Sequence, residues 1–158
     1  MKTIKPITLV LLLISSLSLF SQHTARLKEI NSIIVPLSTE STYLKSLNYL
    51  HNNDFFILSL DRSSGFIQAK KYIKINKVFS NKHGERLTLN FLITPINPEN
   101  SKITLVVYKE TRYVEVISGK NNSASIHYDE DNGISTDLIF YQQVLKELKE
   151  SIQVENKE

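Results

Sequence analysis

The chain has 158 residues, 41% of them hydrophobic and 22% charged, with a formal charge of +3 and no cysteine. That length makes one domain and buries a core without help from disulfides or metals. The missing cysteines exclude a disulfide framework, a thiolate metal site, a cysteine nucleophile and the lipobox to which a bacterial lipoprotein's acyl chains are attached.

At the start, Lys2 and Lys5 precede an apolar run from Ile7 to Leu13 that continues, with serines interspersed, to Phe20. This is the build of a secretory signal peptide over residues 1–21, too short and serine-rich for a spanning helix of about 20 apolar residues. Cleavage is expected between Ser21 and Gln22, releasing a soluble periplasmic or extracellular protein. Losing both lysines takes the formal charge from +3 to +1. A near-neutral chain has no electrostatic reason to bind nucleic acid, which requires neutralising many phosphates at once.

Residues 22–31 read as a mobile segment, and SIIV, Ser32 to Val35, as a short strand ended by Pro36. Ser38 or Thr39 caps a first helix from Thr39 to His51, with Glu40 in its first turn and Tyr43, Leu44, Leu47 and Leu50 at helical spacing. Asn52 and Asn53 end it, because asparagine tolerates the left-handed conformation of many helix C-termini. FFILSLD is a strand and RSSG a turn. GFIQAKKYIKI alternates, with Ile67, Ala69, Ile73 and Ile75 on one face and Lys71 as the exception there.

NKHGE, residues 81–85, reads as the next turn, and RLTLNFLITP as a half-buried strand with Leu87, Leu89, Phe91 and Ile93 inward. After NPEN, a further turn, Lys102 to Ile117 turns Ile103, Leu105 and Val107 one way and Val106, Tyr108, Val114 and Val116 the other. As one strand it would run about 50 Å, so a bulge or bend is expected near Glu110 to Arg112. GKNNS is a turn, SIHYD a short edge strand and DEDNG a polar loop. Ser135 or Thr136 caps the last helix, with Asp137 in its first turn and Leu138, Tyr141, Leu145, Leu148 and Ile152 along one side. Residues 154–158 read as a disordered tail.

None of His23, His51, His83 and His127 has a second ligand at a metal-site spacing. Asp129, Glu130 and Asp131 lack the spacing of a calcium loop and read as solvated. No G-x-S-x-G or S-x-x-K occurs, so neither catalysis nor a cofactor is expected. The one suggestive patch is a basic hairpin of Lys70, Lys71, Lys74, Lys77, Lys82 and Arg86 with Tyr72 between. Lys70, Tyr72, Lys74, Lys77, Lys82 and Arg86 are its candidate contacts with a partner or an anionic surface; lysines guarding a strand against aggregation are the plainer reading.

The stretch Tyr43 to Ile75, with Leu47, Leu50, Phe55, Ile57, Asp61, Arg62, Gly65, Phe66 and Ile67, places a helix and a strand before D-R-x-x-G-[aromatic or aliphatic]-I. It resembles the repeated domains of BamC-like outer-membrane assembly lipoproteins and the small TATA-binding-protein-like domains of secreted bacterial proteins. The missing lipobox cysteine is a departure from the former. The resemblance implies a strand, helix, four-strand, helix order and a binding or scaffolding role, and it carries over no functional residue.

The expectation is therefore a single α+β domain over residues 32–153: a curved antiparallel sheet of four to six strands with two amphipathic helices on one face. Its expected function is that of a non-catalytic envelope or secreted interaction module whose partner is another envelope protein, with no covalent lipid and an open oligomeric state. The alternative is a carrier holding an apolar ligand in a space lined by Phe91, Ile93, Leu105, Leu138 and Tyr141.

Overall fold

The computed structural model describes residues 30–75, 80–118 and 123–154. The leader, Lys77, the GKNNS turn up to Asn122 and residues 155–158 lie outside them, as does all but the end of the segment expected to be mobile. The order is β1 (Ser32–Val35), α1 (Thr39–Asn52), β2 (Phe56–Asp61), β3 (Phe66–Lys74), β4 (Lys82–Asn97), β5 (Asn100–Ser118), β6 (Ser123–Ile134) and α2 (Leu138–Val154). All pairings are antiparallel, in the order β2-β3-β4-β5, and β1 and β6 share the outer side of β5. This is the expected α+β class, with six strands.

Alternation decides which face is covered. Ile67, Ala69, Leu87, Leu89, Phe91, Ile93, Ile103, Leu105 and Val107 are buried in one cluster with Tyr43, Tyr49 and Leu50 of α1 and Tyr141, Val144, Leu145, Leu148 and Ile152 of α2. Each of the fully buried leucine, isoleucine, valine and phenylalanine side chains contributes about 1.5–3 kcal/mol on burial. α1 is also pinned by the buried Thr42–Ser101 hydroxyl pair, 2.7 Å apart.

Several boundaries differ from the sequence reading. At the end of α1 the left-handed residue is Asp54 (φ 59°), with Asn53 at φ −109°; Asn53 instead bonds back to Tyr49 O through its amide side chain, at 2.8 Å. The Ser38 hydroxyl accepts the Ser41 N–H as cap. α2 is capped by Asp137, whose Oδ1 accepts from Ile139 N and Phe140 N at 3.1 Å, so neither Ser135 nor Thr136 is the cap. RSSG is a turn as read: the Ser63 and Ser64 hydroxyls donate to the Asp61 carboxylate at 2.6 and 2.8 Å and their amides to its Oδ1, and these donors hold that carboxyl down to about 2. Gly65 (φ 72°) closes the turn against Ile93, where a Cβ would strike the Ile93 carbonyl.

The larger differences concern the far ends of the strands. Lys82 to Glu85 are strand, because Gly84 leaves room for the Tyr72 ring that lies across it. β5 runs unbroken through Glu110 to Arg112; the irregularities fall on its neighbours, an extra Asn132 in β6 opposite Lys109/Glu110 and His83 in β4 opposite Arg112/Tyr113. DEDNG is strand and not loop: β6 extends to Ile134, held by cross-strand partners described below.

One junction requires a special partner. β1 and β6 pair with successive parts of the same side of β5 and leave a gap between them. Leu105 N–H donates to Asn31 O at the end of β1, and Val107 O accepts from Ser135 N after β6. The Val107 amide, with no strand opposite, donates to the buried hydroxyl of Tyr141 at 2.9 Å, and burial pushes that phenol's pKa up. A buried amide left unpaired costs about as much as a lost hydrogen bond, which is why the gap is plugged by a side chain.

Candidate functional site

The apolar pattern on the covered face stops along a line across the sheet. Inward positions change from Ala69 to Lys71 in β3, from Leu87 to Glu85 in β4 and from Val107 to Lys109 in β5. At this line Lys109 Nζ and Lys82 Nζ lie 2.7 and 2.5 Å from Glu85 Oε1. Burial pushes the Glu85 carboxyl up, but the two lysines outweigh it and the net shift is downward. Lys71 extends over the Phe55 ring, 4.8 Å from its centre, and donates to Asn53 O. The line marks where helical cover ends, and charged residues stand there because their heads remain wet.

Beyond it, the far parts of β4, β5 and β6 continue as an extension without helices. On the face continuous with the core, Tyr113 and Tyr128 stack at 5.4 Å, followed by Ile126 and Ile117. Ile117, Ile126 and Tyr128 are 49, 47 and 46% exposed there, and Val116, on the other face, is 62% exposed. The opposite face carries an ion-pair network. Arg112 grips Asp129 with two bonds of 2.8 and 3.0 Å, and Arg86 Nη1 reaches Asp129 at 3.2 Å and Glu110 at 3.3 Å. The Arg112 bond holds the Asp129 carboxyl below its ordinary value, and the Tyr108 hydroxyl does the same for Asp131. With Thr111 Oγ1 on Asn132 at 2.5 Å, these contacts make a strand of an acidic segment that reads as a loop in isolation.

The basic hairpin is divided by the fold. Lys70, Tyr72, Lys74 and Arg86 share the uncovered face, whereas Lys82 turns to Glu85 on the other. Lys70 sits over the Phe56 ring at 5.0 Å, and Arg86 is committed to two carboxylates. Lys77 lies outside the described residues. Sequence spacing gave no sign that His83 and His127 meet: their rings are 6.3 Å apart and nearly perpendicular, with the Tyr72 hydroxyl 3.1 Å from His83 Nδ1. Only the register of β4, β5 and β6 brings them together. Among the described residues no three His, Asp or Glu side chains converge as metal ligands.

The space proposed for an apolar ligand is occupied by the protein's own side chains: Phe91, Ile93, Leu105 and Tyr141 are buried in the core cluster and Leu138 is half-buried. A pocket of about 280 Å³ opens elsewhere, at the cover boundary, among Tyr49, Phe55, Lys71, Leu87, Phe140 and Glu147. There the Tyr49 hydroxyl donates to Glu147 at 3.1 Å, and burial together with that carboxylate pushes the phenol's pKa up.

No family model and no curated protein matches the chain. Among the described residues no helix is long and apolar enough to cross a membrane.

Proposed function

We propose that the protein is a non-catalytic interaction module, exported to the cell envelope, whose contact surface is the extension of β4, β5 and β6. The observation that carries this reading is the exposure of Ile117, Ile126 and Tyr128 on one face of strands that run past the helical cover. Clustered apolar side chains with a polar surround are the mark of contact sites on soluble proteins. The basic start and short apolar core of residues 1–21 support export, and the resemblance of Tyr43 to Ile75 to envelope assembly domains supports a scaffolding role. Among the described residues of the basic hairpin, Lys70 and Lys74 are the lysines left for an anionic contact, since Lys82 and Arg86 are bound internally.

The test is affinity capture from the native envelope. Wild type should retain a partner that the double variant Val116→Lys/Ile117→Lys loses and that Ile139→Lys, altered at an exposed position of α2, keeps. Equal capture by all three would count against the extension as the contact surface.

A second reading is favoured by the pocket beside Phe55 and Phe140, whose 280 Å³ and mixed lining suit a small ligand with an apolar body and a polar end. Native mass spectrometry would then show a stoichiometric ligand whose removal lowers Tm, as linkage requires.

A further inference from the structure

An edge strand offers a row of unpaired backbone groups, and proteins usually blunt such edges with lysine, proline, bulges or shortness. The two outer edges of this sheet differ in that respect. β2 has six residues and a register break between Ile57 and Ser59. β6 has twelve, with no lysine, arginine or proline from Ser123 to Ile134, and pairs with β5 without interruption from Ser123 to Asp131. Asn132 and Gly133, the latter at φ 70°, end that straight segment. Among the described residues no strand lies on its outer side.

The backbone phase shows which groups are unpaired. Val114 N–H donates towards β4, to Asn81 O at 2.8 Å, and Val107 O accepts from the β6 side. Odd residues of β5 therefore face β6, and even ones face β4. His127, opposite Val114, accordingly turns its N–H and C=O outward, as do Ser125 and Asp129.

We infer that β6 pairs antiparallel with β6 of a second copy, about a two-fold axis at His127, continuing the sheet across both molecules. This rests on the reading of the extension as a contact surface and names its occupant. The argument is self-complementarity. His127 is the midpoint of the straight segment Ser123–Asp131, so a two-fold there matches the whole segment to itself. Ile126 then stands opposite Tyr128 of the second copy, extending the patch begun by Tyr113 and Tyr128. The acidic end, Asp129 and Glu130, faces the neutral Ser125 and Ala124, so no carboxylate opposes another. A two-fold at Asp129 or Glu130 would set like charges directly across, which is destabilising.

Sedimentation velocity over a range of concentrations should show a reversible monomer–dimer equilibrium. His127→Lys places two ammonium groups across the axis and should raise the dimer Kd by about tenfold or more, whereas Ile139→Lys, on α2 and away from this edge, should leave it unchanged. Register is read by cross-linking, since the chain has no cysteine of its own. His127→Cys should form an intermolecular disulfide under mild oxidation, its Cα atoms about 5.5 Å apart. Asp131→Cys should not, because its copies would lie about 26 Å apart along the strands. Circular dichroism checks that the variants fold; should His127→Lys fail to, the cysteine pair carries the test. A wild type that stays monomeric, a His127→Lys protein that dimerises undiminished, or equal cross-linking at 127 and 131 would overturn the inference. Monomeric protein that still loses its envelope partner on Val116→Lys/Ile117→Lys would remove self-pairing and leave the contact surface standing.

Discussion

β5 passes through two environments, and the contrast between its halves explains most of this molecule. From Ile103 to Val107 its inward side chains are fully buried under α1 and α2. From Tyr113 to Ile117 the same face of the same strand becomes exposed, with Tyr113 half-buried and Ile117 half exposed. Backbone hydrogen bonding continues through both, because β4 accompanies β5 from Asn97 to Lys82 while β1 and β6 take its outer side before and after the gap that Tyr141 fills. What differs is the hydrophobic contribution, concentrated in the first half, while ion pairs and stacked rings organise the second. Sheet without cover is thus sustained by cross-strand pairs, which are individually small, and its apolar side chains remain free for other molecules.

Substitutions along β5 should bring this out most strongly. Leu105→Ala, in the fully buried half, is expected to cost about 2–5 kcal/mol, whereas Ile117→Ala should change stability by less than about 0.5 kcal/mol. Similar denaturation midpoints for the two would show that the helices do not divide the strand as described.

A smaller effect is expected at the junction of the halves. Tyr141→Phe keeps the ring but strands the Val107 amide, a loss of about 1–3 kcal/mol. Hydrogen exchange should locate it: the Val107 amide loses protection, and no loss would mean that the hydroxyl is not its partner.

The smallest effect belongs to the extension. Arg112→Ala should lower stability at neutral pH by less than either buried change, since the pair is exposed to water and screened by salt. Its pH dependence is the sharper readout. Asp129 titrates below its ordinary value of 3.8, so the pair's contribution is present above that pH and lost as the pH falls below it. Wild type and variant should therefore converge in acid; a gap independent of pH would assign the arginine a packing role.

The covered half was legible in the sequence because each strand states its own inward face: Leu87, Leu89, Phe91 and Ile93 alternate without reference to anything distant, and the stripe Tyr141, Leu145, Leu148 and Ile152 does the same for α2. The extension was not, for a physical reason. DEDNG is polar at every position, and its strand state depends on Arg112, Arg86, Tyr108 and Thr111, which only the register of β5 supplies. The meeting of His83 and His127 likewise has no local signal. Lys71, Glu85 and Lys109 did carry one: taken together as interruptions of three inward faces, they draw the end of the helical cover. The first helix's cap, Ser38, was among those read, but the cap of α2 missed by one residue because Ser135, Thr136 and Asp137 in a row could each serve, and backbone geometry chose Asp137.

The strand order also bears on how the molecule assembles. β2 to β6 follow one another as hairpins, so each pairing forms between neighbours in the chain, the kind of contact that closes quickly. β1 is different: Ser32 to Val35 emerge first from the ribosome but pair with Ser101 to Thr104, which come much later. Until β5 arrives, SIIV has no sheet to join, and α1 cannot form its Thr42–Ser101 bond. The N-terminal strand must therefore wait for β5, and a chain interrupted before Asn100 would leave an apolar strand and a half-clad helix without partners. That is the interval in which this protein has most need of a chaperone.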